Sequence, residues 1–163
     1  MAITFTNLDE LKMYIQAQIN SVLKEEVVDE ITGIATTMAY NNVYGAYYNK
    51  YTHEPNMYER RYGSGGLVDP DNFEGTMPES GVIEVRNITS PDGAAFNLSE
   101  LIEYGDGGGS DGAKYHYWPG VDTVGDFRNP RPFMEPTQEK LAKGDTLKNI
   151  IKEGLKRRGL TVK

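Results

Sequence analysis

The sequence predicts an α+β domain, and three observations carry that expectation. An apolar stripe at three- and four-residue steps opens the chain, a β-branched run lies near its middle, and a proline-led helical pattern closes it. The 163 residues suffice for one ordinary domain, so 1–163 is read as a single unit.

The first element is a helix over 8–46. Asn7 is a good N-cap, and Glu10 three residues on completes a capping-box-like pair. Leu8, Leu11, Ile15, Ile19, Val22 and Leu23, then Val27, Ile31, Ile34 and Met38, form its stripe. Gly33 is expected to mark a bend, because glycine mid-helix costs ~1 kcal/mol against alanine. So long a helix leaves part of its stripe for a neighbouring subunit. Over 47–80 the periodicity fails among Pro55, Pro70, Pro78 and several glycines, which predicts a long irregular connection. Its tyrosines and Leu67 argue against plain disorder.

The region 81–104 is β-like. Val82, Ile83, Val85 and Ile88 predict a strand, closed by the turn Ser90-Pro91-Asp92-Gly93. Leu98, Leu101, Ile102 and Tyr104 make a second short piece, as strand or helix alike. A Gly- and Asp-rich, then aromatic, loop fills 105–130. Pro130, Pro132 and Pro136 lead into a helix over 131–163, stopped by Gly159 and divisible at Gly144-Asp145, where Asp145 can recap it.

Composition narrows the function classes. There is no cysteine, which excludes disulfides, thiol catalysis and Cys-ligated zinc. No apolar run approaches the ~20 residues of a membrane helix, and the opening residues do not read as a signal peptide. The net charge is −7, yet residues 137–163 hold eight basic and three acidic groups, a net of +5 that leaves −12 on the rest. Such a body disfavours a whole-chain nucleic-acid binder. Hydrophobic content of 38% is low, so either the core is small or part of the chain is buried only on a partner.

No motif carries chemistry. Asp69-Pro-Asp71-Asn-Phe73 places phenylalanine where a calcium loop needs oxygen, and the stretch from Asp106 to Asp111 fails the same pattern. His53 and His116 sit in no recognisable catalytic setting. The Gly-Ser-Gly-Gly run follows no strand, so it is not a phosphate cradle. The expectation is no catalytic residue, no metal and no cofactor. Tyr47, Tyr48, Tyr51, Tyr58 and Tyr62 crowd around Arg60-Arg61 beside that glycine run. Tyrosine gives adhesive area with a polar tip, and glycine lets a segment fit a partner, so this stretch is read as an interface. Arg157 and Arg158 suit a helix C-terminus, and they are read as pairing with acids of an adjoining subunit.

The order of these pieces carries a resemblance. A long helix precedes Gly66-Leu67, a strand follows, then Ile102-Glu103-Tyr104-Gly105, then Arg131-Pro132-Phe133-Met134-Glu135-Pro136 opening the last helix. This resembles the tail-completion and head–tail joining proteins of long-tailed phages, small neck proteins encoded near portal and adaptor genes. The pattern running from Tyr58 through Arg60, Arg61, Gly65, Gly66 and Leu67 to Asp69 also resembles phage and prophage proteins of Gram-positive hosts. The 47–80 and 105–130 loops are longer than the family pattern.

The resemblance implies a small antiparallel sheet flanked by the first and last helices. It implies a homo-oligomeric ring, six- or twelve-fold, in the neck of a virion assembled in the host cytoplasm. Its partners would be the connector or adaptor and the tail-tube or terminator proteins, and DNA would pass through the lumen without specific binding. The subunit interface would use Tyr47, Tyr48, Tyr51, Tyr58, Arg60, Arg61, Tyr62, Leu67, Arg157 and Arg158. The core would hold Ile102, Tyr104, Phe133, Leu147 and Ile151. Three rival readings are another virion role, as adaptor or tail terminator, an acidic phage-encoded protein that inhibits a host factor, and an enzyme.

Overall fold

A helix running from Leu8 to Tyr44 is the backbone of the architecture in the computed structural model, which describes residues 4–45, 65–90, 97–104 and 130–160. It comprises α1 (Leu8–Val22), a π-helical turn (Leu23–Val27), α2 (Val28–Ala39) and a second π turn (Tyr40–Tyr44). Asn7 caps it as expected, its Oδ1 accepting the Glu10 N–H at 2.9 Å. The Glu10 carboxylate reaches one residue further back than a capping box requires, accepting from the Thr6 N–H and hydroxyl. Gly33, where a bend was expected, lies within α2, and the departures from α geometry are the π turns. Each π turn inserts an extra residue and so re-aims the side chains that follow.

The second π turn aims two polar groups at other segments. Tyr44 Oη accepts the Leu67 N–H at 3.3 Å, and Asn42 Nδ2 donates to the Pro132 carbonyl at 2.9 Å. Leu67 belongs to a turn in which Gly65 has a φ of 69°, and the Gly66 carbonyl accepts from Asn72 Nδ2 at 2.8 Å. A 3₁₀ turn, Pro70–Asn72, follows, with Asp69 as its cap.

Two strands come next, β1 (Phe73–Thr76) and β2 (Glu84–Asn87), paired antiparallel with Phe73 opposite Asn87 and Thr76 opposite Glu84. The strand predicted around 82–88 is therefore β2. Its partner falls inside the segment expected to be irregular, and that expectation is corrected. Phe-Glu-Gly-Thr has no alternating apolar pattern, and what places β1 is packing. A Cβ on Gly75 would lie 2.6 Å from Val28 Cγ2, so the glycine admits the strand onto the long helix. A two-stranded sheet is marginal alone and needs such a helix behind it.

The piece left open between strand and helix is a helix, α3 (Leu98–Tyr104). Asn97 Oδ1 accepts the Ser99 N–H at 2.8 Å and starts it. The last helical region divides at Gly144-Asp145 into α4 (Met134–Ala142) and α5 (Thr146–Arg157). Gly159 ends α5 at a φ of 82°, and the Leu160 N–H returns to the Leu155 carbonyl. The main core joins Ala35, Ala39 and Val43 of the long helix to Leu67, Phe73, Ile102 and Phe133. Further along, α5 packs against the helix at 22–27 and buries Val22, Leu23, Val27 and Leu155. The fold is α+β, as the sequence predicts.

Candidate assembly surfaces

Two polar junctions set which surfaces remain exposed. The first is made by Glu103, a buried residue of α3. Its carboxylate accepts the N–H groups of Phe133 and Met134 at 2.7 and 2.9 Å through Oε2, and of Glu135 at 2.8 Å through Oε1. Those are unpaired donors of the first turn of α4, where the helix dipole favours negative charge. The Arg131 N–H adds a bond to the Ile102 carbonyl at 2.8 Å. One side chain from a distant segment thus caps α4 and seats Phe133 in the core at zero exposure. Glu103 and the Pro-Phe-Met-Glu-Pro run read as separate motifs in the sequence, yet they form one joint. A cap thirty residues away has no local spacing that reveals it.

The second junction is at Glu25 and Glu26. Arg158 contacts both, at 2.7 Å to Glu25, and also reaches Ser21 Oγ, while Arg157 pairs with Glu26. The Arg158 hydrogen bond, with Arg157 beside it, holds the Glu26 carboxyl below its ordinary value. Gly154 makes the close approach possible, since a Cβ there would sit 2.7 Å from Glu26 Oε2 and 2.8 Å from Val22 Cγ1. Arg157 and Arg158, expected at an adjoining subunit, are thus placed in ion pairs inside this chain.

Other predicted residues separate by location. Leu67, expected at the interface, is 2% exposed in the chain's own core, so that assignment is corrected. The reason is the 65–69 turn, whose hydrogen bonds fold it back against Tyr44 and Thr89. Tyr104, expected in the core, is 53% exposed, and that assignment is corrected: it is the last residue of α3, where the helix ends beyond buried Leu101, Ile102 and Glu103. Ile102 and Phe133 are buried, and Leu147 and Ile151 are half-buried. Tyr47, Tyr48, Tyr51, Tyr58, Arg60, Arg61 and Tyr62 lie outside the described residues, as do His53 and His116. Asp69 serves its own turn, accepting from the Gly65 and Asp71 N–H groups. Among the described residues no cluster of three or more His, Cys, Asp or Glu could hold a metal, and no helix is long and apolar enough to cross a membrane.

The remaining candidate surface is apolar and lies on α1. Only Val22 of its fifteen residues is buried. Leu8 is 63% and Met13 67% exposed, and Ile15 is exposed too. Leu8, Leu11 and Ile15 continue the stripe that α5 covers at Val22, so the stripe runs beyond its cover. A turn at Ser80-Gly81 is hydrogen-bonded to Asn20.

A long helix carrying a two-stranded sheet, with α4 capped by Glu103 of α3 and α5 held to the long helix through Glu26, defines a small α+β protein whose polar joints are structural. The chain belongs to the YomN family, whose model matches residues 7–157. The family bears the name of a Bacillus phage- or prophage-derived protein, and this chain is phage-related. No curated protein and no solved structure matches it.

Proposed function

We propose that this chain is a structural virion protein of a tailed phage or prophage, forming a ring in the neck that completes the tail or joins it to the head connector. The observation that carries the reading is the uncovered stripe of α1. A helix with Leu8, Leu11 and Ile15 on one face gains by burying that face, and Leu8 and Ile15 are exposed while Leu11 is only half-buried. The ordered motifs of the neck proteins and the phage-related family point the same way. The polar joints also suit the reading, because they stiffen a small subunit that must fit between others.

Deleting the gene from a producing phage tests it. Filled heads and unattached tails should accumulate, and the chain supplied in trans should restore infectious particles. Normal particle yield and morphology from the deletion would contradict the proposal.

A further inference from the structure

Gly33 has no packing role among the described residues of its own chain. It lies inside α2, is absent from the positive-φ glycines, and a Cβ placed on it meets no atom within 4 Å. Glycine weakens a helix interior relative to alanine, so its presence calls for a reason outside the subunit. A bare backbone on an exposed helix face is what allows another element to approach closely.

The face around Gly33 is suited to a partner helix. Asp29, Gly33, Thr37 and Tyr40 recur at four- and three-residue steps and are all exposed, Tyr40 at 55%. The Thr37 hydroxyl donates to the Gly33 carbonyl at 2.9 Å, so it brings no unmet polar demand to a contact. Asp29 and its neighbour Glu30 form no salt bridge among the described residues. The same chain carries the complementary surface. Lys148, Lys152 and Lys156 stand at four-residue steps on the exposed side of α5. Among the described residues Lys148 and Lys156 pair with Asp145 and Glu153, near them on the same chain, at 3.8 and 3.7 Å, and Lys152 has no ion pair.

We propose that the lysine ridge of α5 in one copy docks across the Asp29–Gly33–Thr37–Tyr40 face of a second copy. The row spacing of four on both helices lets their ridges interdigitate, and acid meets base across the contact. Two different surfaces are used, so the contact is heterologous and propagates head to tail, closing into a ring when the rotation permits. This rests on the reading of the chain as self-assembling and names the faces that meet.

The test is the concentration dependence of oligomer mass for the full chain, read by light scattering and native mass spectrometry. Gly33→Arg, Asp29→Lys and Lys152→Glu should each raise the concentration for half-assembly at least tenfold, with helix content by circular dichroism unchanged. Asp29→Lys combined with Lys152→Glu should recover much of that loss, because the swapped charges again face each other. Unaltered assembly in a folded Gly33→Arg chain would overturn the contact, as would a double reversal no better than the worse single. A wild-type chain that assembles but ignores these changes leaves the neck reading standing and removes this contact. A wild-type chain monomeric at every concentration overturns the contact, and the gene deletion then decides the neck reading separately.

Discussion

Two glycines and one glutamate show how single residues decide this fold. Gly33 and Gly154 both sit inside helices, where glycine costs about 1 kcal/mol against alanine. Around Gly33 there is open space, so Gly33→Ala should raise the stability of the isolated chain by about that amount. Around Gly154 a Cβ would collide with Glu26 and Val22, so Gly154→Ala should destabilise despite alanine's better propensity. Chemical denaturation of the two variants gives opposite signs if the packing is as described; the same sign for both would refute it. Glu103→Ala leaves three N–H groups of the α4 terminus without their acceptor in a buried place, and should cost about 1–3 kcal/mol or more. Phe133→Ala empties a fully buried ring site and should cost roughly 3–5 kcal/mol. A loss under about 1 kcal/mol, the range of surface changes, would contradict its place in the core.

At the scale of elements, the latch between α5 and the long helix predicts a pH response. Ion pairing lowers the Glu26 carboxyl below its ordinary 4.5, so the folded state holds it charged more strongly than the unfolded chain does. A group with a depressed folded value contributes stability that is fully present above the unfolded value and disappears as pH falls through the folded one. The stability difference between wild type and Glu26→Gln should therefore be constant above about pH 5 and shrink steadily below 4.5, as followed by urea unfolding across that range. A difference that persists unchanged to pH 2 would show that the carboxylate is not the group that matters. Periodic elements were legible in the sequence for the same reason that they form. The stripe from Leu8 onward, the β-branched run around Val85 and the glycine stop at Gly159 each carry a local signal. β1, the Glu103 cap and the Gly154 approach were not legible, because each depends on a partner far along the chain. Leu67 and Tyr104 were exchanged between surface and core for that reason too: residue type gave their polarity, and only tertiary packing gave their side.

For the whole molecule, charge and uncovered apolar surface make opposite demands. The acidic body should keep the free protein off duplex DNA even near 50 mM salt, where like charges oppose approach over about 10–15 Å. A mobility shift at that salt, weakening steeply as salt rises, would place the basic 137–163 segment against phosphates and contradict a passive lumen. The exposed apolar face of α1 argues instead for assembly, which we propose is a ring in the virion neck. Quantitative mass spectrometry of purified particles, with immunogold labelling of the same preparation, tests that most directly. A neck ring should put the chain in particles at a fixed copy number that is a multiple of six, with gold confined to the head–tail junction. Particles that lack the chain, or label spread along the tail or capsid, would contradict it.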